Sequence, residues 1–248
     1  MGCCSSKKES WDASFKPTAL SSNKCDAMWE EKTGELATFG MSPHFGPASR
    51  FGSTPGVIRV RVGFAGGTAG NPNYEDTGDY TIAVQVDFDP GKVKYVQLLD
   101  IFWNYHDIFL PSEIPENQST IFYHSEKQQK TAESEKEKQQ SKHEHEIMTQ
   151  IKPFTTFIDS EDEKQHFVLQ STKDLYKKLE KNLPRSQLAH SHLACRLEGY
   201  VSGYGKPEDF DKEIPELYIP PGVADMVRES CVQNQVIEAG ADRMNDWG

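Results

Sequence analysis

Two neighbouring runs decide the fold: Ala37-Thr38-Phe39-Gly40-Met41-Ser42-Pro43-His44-Phe45-Gly46, and Pro55-Gly56-Val57-Ile58-Arg59-Val60-Arg61-Val62-Gly63-Phe64-Ala65-Gly66-Gly67-Thr68. Small and apolar residues over 36–41 read as a short buried strand. After the turn signal Pro55-Gly56, residues 57–64 alternate Val with Arg and read as a second strand. The Gly- and Asn-rich run 65–78 is a long loop. Residues 80–88 alternate again, with Ile82, Val84, Val86 and Phe88 on one face, and Asp89-Pro90-Gly91 ends that third strand. Over 95–105, Val96, Leu98, Leu99, Ile101, Phe102 and Trp103 fit a mostly buried helix, with Phe102 and Trp103 in the core. Residues 120–124 form a short strand. Strand–helix–strand occurring twice is a split βαβ arrangement, so the expected class is α+β, a ferredoxin-like two-layer α/β sandwich.

Outside this centre the signals weaken. Residues 126–148 are strongly charged without an apolar stripe and predict a solvated helix. Pro153 confines 151–157 to an edge strand or loop. Residues 161–169 and 171–179 read as helical. After Gly205 the chain is rich in Pro and acidic residues, with Pro220-Pro221-Gly222 as a breaker. The expected organisation is an acylated or disordered N-terminal extension (1–32), a folded domain (33–205) and a C-terminal extension (206–248), both extensions flexible.

The 248 residues are 36% hydrophobic and 26% charged, soluble-protein values on the polar side. No apolar run approaches a transmembrane length. A net charge of -11 argues against a nucleic-acid partner, because phosphate backbones reward clustered Lys and Arg. Five cysteines without regular spacing make neither a disulfide framework nor a zinc pattern, which suits a reducing, intracellular setting.

The chain starts Met1-Gly2-Cys3-Cys4-Ser5-Ser6-Lys7-Lys8. Gly2 and Ser6 fit the N-myristoylation pattern, and Cys3 and Cys4 are then candidates for palmitoylation. Two acyl chains anchor a protein stably where one does so only marginally. The expectation is a cytoplasmic protein held on the cytoplasmic face of a membrane. The plainer reading is an ordinary tail with incidental cysteines.

The two opening runs, with Asn71-Pro72-Asn73-Tyr74, Val86-Asp87-Phe88-Asp89-Pro90, Leu99-Asp100-Ile101-Phe102-Trp103-Asn104-Tyr105-His106-Asp107 and, more weakly, Ser119-Thr120-Ile121-Phe122-Tyr123-His124 and Glu161-Asp162, closely resemble the A-type peptide-methionine (S)-S-oxide reductases. The resemblance covers about residues 35–205 and implies the same ferredoxin-like fold. It also implies a reaction. A cysteine thiolate attacks the sulfoxide sulfur and becomes a sulfenic acid as methionine leaves, and further cysteines resolve that acid as a disulfide. A glutamate and two tyrosines surround the sulfoxide oxygen, and a Phe-Trp pair cages the substrate methyl.

Carried over residue by residue, the reacting positions are substituted. Where the family has Gly-Cys-Phe-Trp-Gly, this chain reads Ser42-Pro43-His44-Phe45-Gly46, so Pro43 stands at the nucleophile and His44 and Phe45 at the cage. Gly78-Asp79-Tyr80-Thr81-Ile82 puts Ile82 at the family's acid, and Glu116-Asn117-Gln118 puts Asn117 at its second tyrosine. Tyr74 survives, as do His106 and Asp107. Losing a nucleophile typically costs about 10⁴ or more in rate. The resemblance therefore implies a pseudoenzyme: a membrane-anchored binding or scaffold protein whose residual pocket is His44, Phe45, Tyr74, His106 and Asp107. A protein partner or a methionine-containing peptide is its expected ligand, with no metal and no cofactor. Two alternatives stay open. One is an active reductase using a displaced cysteine, Cys25, Cys195 or Cys231, with thioredoxin as reductant. The other is a structural component of a larger assembly.

Blander readings also hold at single residues. Tyr74 equally fits a loop tyrosine packed on the sheet, and His44 a hydrogen-bonded residue at a helix start. His143-Glu144-His145-Glu146 lacks a second cluster and fits a solvated helix better than a metal site, since i and i+2 do not share a helix face. Gly63-Phe64-Ala65-Gly66-Gly67 lacks the Gly-Lys-Ser/Thr ending of a phosphate loop.

Overall fold

Strand register shows how the two βαβ halves close into one sheet. The computed structural model describes residues 23–30, 32, 34–42, 45–68, 70–109 and 114–245, the side chains of Phe45 and of 236–245 excepted. In chain order the elements are α1 (Lys24–Trp29), β1 (Glu35–Gly40), α2 (Phe45–Ser53), β2 (Val57–Ala65), β3 (Thr81–Phe88), α3 (Tyr95–Asn104), β4 (Thr120–Tyr123), α4 (Glu126–Gln140), β5 (Gln150–Pro153), β6 (Phe157–Asp159), α5 (Phe167–Ser171), α6 (Lys173–Leu179), α7 (His192–Val201), α8 (Pro207–Leu217) and α9 (Pro221–Asn245). The strands form one sheet in the order β5-β4-β1-β3-β2-β6. All neighbours are antiparallel except β4 and β5. The central four, β4-β1-β3-β2, with α2 and α3 as crossovers, are the expected ferredoxin-like unit, and β5 and β6 extend its two edges. Pro153 closes an edge strand, as its missing N–H requires.

One sheet face is apolar. Ala37, Phe39, Val60, Val62, Val84 and Val86 pack against Phe51 of α2 and against Leu98, Leu99, Phe102 and Trp103 of α3. Phe39 stacks on Phe51 at 5.5 Å and lies 5.3 Å from Phe102. The opposite face is polar and equally buried. Arg61 and Thr38 are both register partners of Gln85 on its two sides. Arg61 Nε donates to Gln85 Oε1 (3.0 Å), Gln85 Nε2 donates to Thr38 Oγ1 (3.0 Å), and Thr38 Oγ1 meets His124 Nε2 at 2.9 Å. Arg61 Nη1 also reaches Asp159 at 3.0 Å. Beside it, Arg59 pairs with Asp87 (2.8 Å) and donates to the carbonyls of Trp29, Lys32 and His190. A buried guanidinium is tolerated only with its donors engaged, and here they are.

Three expectations are corrected. The charged helix stops at Gln140 rather than near 148, and it is docked: Gln128 and Ala132 are buried, and Gln128 Nε2 donates to the Leu36 carbonyl at 2.7 Å. The helical reading of 161–169 and 171–179 resolves into a 3-10 turn at Asp162–Lys164 followed by the short helices α5 and α6. The largest difference concerns the extensions expected to be flexible. Within them, α1, α8 and α9 carry Cys25, Phe210, Leu217, Val223, Val227 and Cys231 into a second apolar cluster around α7. Within the run that read as a breaker, Pro221 begins α9 instead, and Pro207 likewise lies in the first turn of α8, where a missing N–H costs nothing. All ten residues of α7 are buried. It lies close on α2 because both helices present glycine at the crossing. A Cβ on Gly52 would sit 2.5 Å from the Cys195 carbonyl oxygen, and one on Gly199 would sit 2.3 Å from the Ser53 nitrogen.

Candidate functional site

The C-terminal end of β1 is where the chain would place its chemistry. Gly40 ends the strand, Met41 N–H donates to the Ile82 carbonyl (3.2 Å), and α2 begins at Phe45. Pro43 and His44 lie outside the described residues, as does the side chain of Phe45. Gly2, Cys3 and Cys4 also lie outside them.

The other predicted positions gather beside this strand end. Ile82 points into a small apolar cluster with Phe64 and Tyr80, flanked by Tyr74 and Ile158. A hydrocarbon side chain therefore occupies position 82, where the resemblance implies an acid. Tyr74 joins the same cluster half-buried, its N–H held by Glu161 Oε1 (2.9 Å) and its ring covered by the Lys164 ammonium at 4.2 Å. Burial, then the Glu116 and Glu161 carboxylates, push the Tyr74 phenol pKa up, so it is a proton donor rather than a phenolate. Asn117 closes a 3-10 turn at Pro115–Asn117, with its Nδ2 donating to Glu116 Oε1 (3.4 Å). Glu116 Oε2 accepts from Thr77 Oγ1 (3.3 Å), which ties that turn to the loop carrying Tyr74. Positions 74 and 82 thus share one cluster and the turn carrying Asn117 is tied beside it; of the three only Tyr74 offers an acidic proton.

His106 follows α3 with both ring nitrogens committed. Nδ1 donates to the Phe102 carbonyl (2.5 Å), which leaves Nε2 to accept from Ser119 Oγ (2.7 Å). Ser119 Oγ in turn meets Thr149 Oγ1 at 2.7 Å. Burial lowers the His106 pKa to about 4, so the ring is neutral and fastens α3 to the start of β4. Asp107 Oδ1 accepts the Phe109 N–H at 2.9 Å.

Thiol chemistry needs an accessible thiolate. Cys25, Cys195 and Cys231 are each fully buried. Burial pushes Cys25 and Cys195 up to about 12 and raises Cys231, whose Sγ donates to the Gly205 carbonyl (3.2 Å). His143 and His145 follow α4 with their rings edge-on to Phe109, and no group of three or more His, Cys, Asp or Glu suited to a metal occurs among the described residues. Nor is any helix among them long and apolar enough to cross a membrane.

One buried charge escaped the sequence reading. Glu198 of α7 accepts from Leu169 N–H (2.7 Å), Val168 N–H (3.3 Å) and Ser49 Oγ (2.9 Å), joining α5, α2 and α7. Burial raises its pKa to about 7. Part of the signal for α7 was present: Ser191 caps it, and Leu193, Ala194, Leu197, Tyr200 and Val201 give it an apolar face, but His192, Arg196 and Glu198 read as a solvated side that the structure also buries.

A six-stranded sheet built on a ferredoxin-like unit, with a small apolar cluster carrying a tyrosine beside the end of β1, defines an α+β two-layer scaffold. The fold matches reduced Mxr1 from Saccharomyces cerevisiae (TM-score 0.52, 23% identity, covering 57% of this chain and 87% of that one) and methionine sulfoxide reductase A of Corynebacterium diphtheriae (TM-score 0.50, 23% identity, 63% and 82%). By sequence the chain belongs to the peptide methionine sulfoxide reductase family, whose model matches residues 35–197. It is 37% identical over 191 residues to a peptide methionine sulfoxide reductase of Drosophila melanogaster, covering 76% of this chain and 77% of that one. It is 36% identical over 179 residues to peptide methionine sulfoxide reductase A5 of Oryza sativa subsp. japonica, covering 70% of each.

Proposed function

We propose that this family member binds rather than reduces, using the cleft at the end of β1 to hold a methionine-containing peptide or a protein partner while acyl groups on Gly2, Cys3 and Cys4 anchor it to a membrane. The observation that carries this reading is the want of a usable thiol. Proline stands at position 43, and the three described cysteines are enclosed and protonated. Sulfoxide reduction by the thiol route forms an S–O bond on cysteine as the sulfoxide oxygen leaves methionine, and a second thiol then expels that oxygen as water. Neither step has an atom to start from at Pro43. At Ile82 no carboxyl can protonate the departing oxygen, which leaves Tyr74 as the nearby donor.

The second reading is an active reductase working through a displaced cysteine, with thioredoxin returning the electrons. The names of the relatives favour it, since each is called a reductase. A single assay separates the two. The purified chain is mixed with a methionine-(S)-sulfoxide peptide and dithiothreitol, beside a variant carrying Ser42→Gly, Pro43→Cys, His44→Phe, Phe45→Trp and Ile82→Glu. The binding reading expects silence from the natural chain and turnover from the rebuilt one. Turnover by the natural chain overturns it, and cysteine-to-serine variants then locate the thiol. For the anchor, Gly2→Ala is expected to move the protein from the membrane to the soluble fraction of cells.

A further inference from the structure

Away from the end of β1, a cavity of about 230 Å³ opens between the sheet and the C-terminal helices. Gly56, Asp89 and Lys92 line it from the sheet side, and Trp29, His192 and Glu216 from the helices. Trp29 and Glu216 lie outside the residues that match the family model. The size is below that of a pocket for a drug-sized molecule and suits something smaller.

The lining is specific. His192 is only 6% exposed, and its Nδ1 donates to the Ile58 carbonyl at 2.6 Å. Nδ1 must carry the proton in that bond, so Nε2 is a bare acceptor, and no group among the described residues donates to it. Burial lowers the ring's pKa to about 3, so it stays neutral. Trp29 stacks on the imidazole at 3.7 Å. The ammonium groups of Lys32 and Lys92 lie 3.9 and 6.0 Å from the Trp29 ring. Arg196 at the edge is taken up by Glu213 through two hydrogen bonds, 2.9 and 2.8 Å. What remains is the His192 acceptor, the carboxylates of Glu216 and Asp89, the latter with one oxygen taken by the Gly91 N–H (2.8 Å), and the Lys92 ammonium, set around the Trp29 ring.

We propose that this cavity binds a small zwitterion of α-amino-acid size, its ammonium set among His192 Nε2, Glu216 and Asp89, its carboxylate toward Lys92, and its side chain against Trp29. A bare cation meets Lys92 and a bare anion meets the carboxylates, so only a molecule with both charges is compensated at both ends. This proposal goes beyond the function proposed above and holds whether or not the β1 cleft reduces a sulfoxide.

The test uses the full chain, titrated by calorimetry with the free L-amino acids and, in parallel, with methylamine and with acetate. At least one amino acid is expected to bind with a Kd of roughly 0.1–1 mM and to raise the thermal midpoint. Glu216→Gln and Lys92→Gln, at exposed positions, are each expected to weaken binding about 5–10-fold while leaving the unliganded midpoint unchanged. Binding by no amino acid, equal binding of methylamine or acetate, or affinity undiminished in the double variant would each overturn the proposal.

Discussion

Asp87 is 1% exposed, 2.8 Å from Arg59 Nη1, and accepts the Gly34 N–H at 2.8 Å. Burial outweighs the attraction of Arg59 and holds its carboxyl above the usual carboxylate range. The pair's net worth is therefore modest, but removing one member strands the other. Asp87→Ala leaves a buried guanidinium with a missing acceptor and is expected to cost about 3–5 kcal/mol, read from the urea midpoint. Lys138→Ala breaks only a half-exposed pair with Glu135 and is expected to cost less than about 0.5 kcal/mol. A loss at Asp87 as small as at Lys138 would mean that water reaches this sheet face. Alternating Val and Arg revealed the strand at 57–64, but not that both its faces are covered. The groups that satisfy Arg59 and Arg61 are Gln85, Asp87, Asp159 and three backbone carbonyls, scattered over more than 100 residues, and no local pattern connects them.

At the scale of elements, α1 and α7 meet through Asp26. Its Oδ1 accepts the Leu193 N–H (2.9 Å) and its Oδ2 the Ser191 hydroxyl (2.6 Å), so the N-terminal segment caps a helix some 165 residues later. Asp26→Ala is expected to cost about 1–2 kcal/mol, measured by chemical denaturation. Truncation after Gly205 removes Phe210, Leu217, Val223 and Val227 from the cluster that encloses α7. The shortened chain is expected to bind a hydrophobic dye and aggregate, which gel filtration would show; a monomeric, cooperatively folding truncation would mean that α7 is stable uncovered. The four central strands and α3 were legible because period-two and helical apolar patterns lie within single short windows. The terminal helices were not, since Pro207, Pro215 and Pro221 interrupt their sequence and their apolar residues become a face only against α7. Family resemblance singled out Tyr74 and Ile82, which share one apolar cluster, and Asn117, which the Glu116–Thr77 bond links to the loop before it. The commitment of both His106 nitrogens was not, because Ser119 and Thr149 carry no distinguishing pattern.

For the whole molecule, two sets of buried groups set the pH dependence with opposite signs. Glu198 has a folded pKa of about 7 against 4.5 in the unfolded chain, so the folded state keeps a proton that the unfolded chain gives up. Its contribution is complete below pH 4.5 and is lost as pH rises to about 7, on the order of 3 kcal/mol in all. His106, His124 and His166 titrate at about 4 and His192 at about 3, against 6.5 in the unfolded chain, each lowered chiefly by burial. Below pH 6.5 the unfolded chain takes up protons that the folded one refuses, so stability falls as pH drops toward 4. Between pH 6 and 5 the histidines outnumber Glu198, leaving the unfolded state about three protons ahead, a slope of up to roughly 4 kcal/mol per pH unit. Against a total stability of about 5–15 kcal/mol, this predicts acid unfolding between about pH 5.5 and 4, followed by circular dichroism. Glu198→Gln isolates the opposing contribution. A neutral amide cannot charge as pH rises, so the variant is expected to gain about 2.5 kcal/mol on the natural protein between pH 5 and pH 8, whatever its cost at either pH alone. A stability difference independent of pH would show that the carboxyl linking α2, α5 and α7 is solvated enough to ionise normally, and the junction would then be held by packing at Gly52 and Gly199 rather than by Glu198.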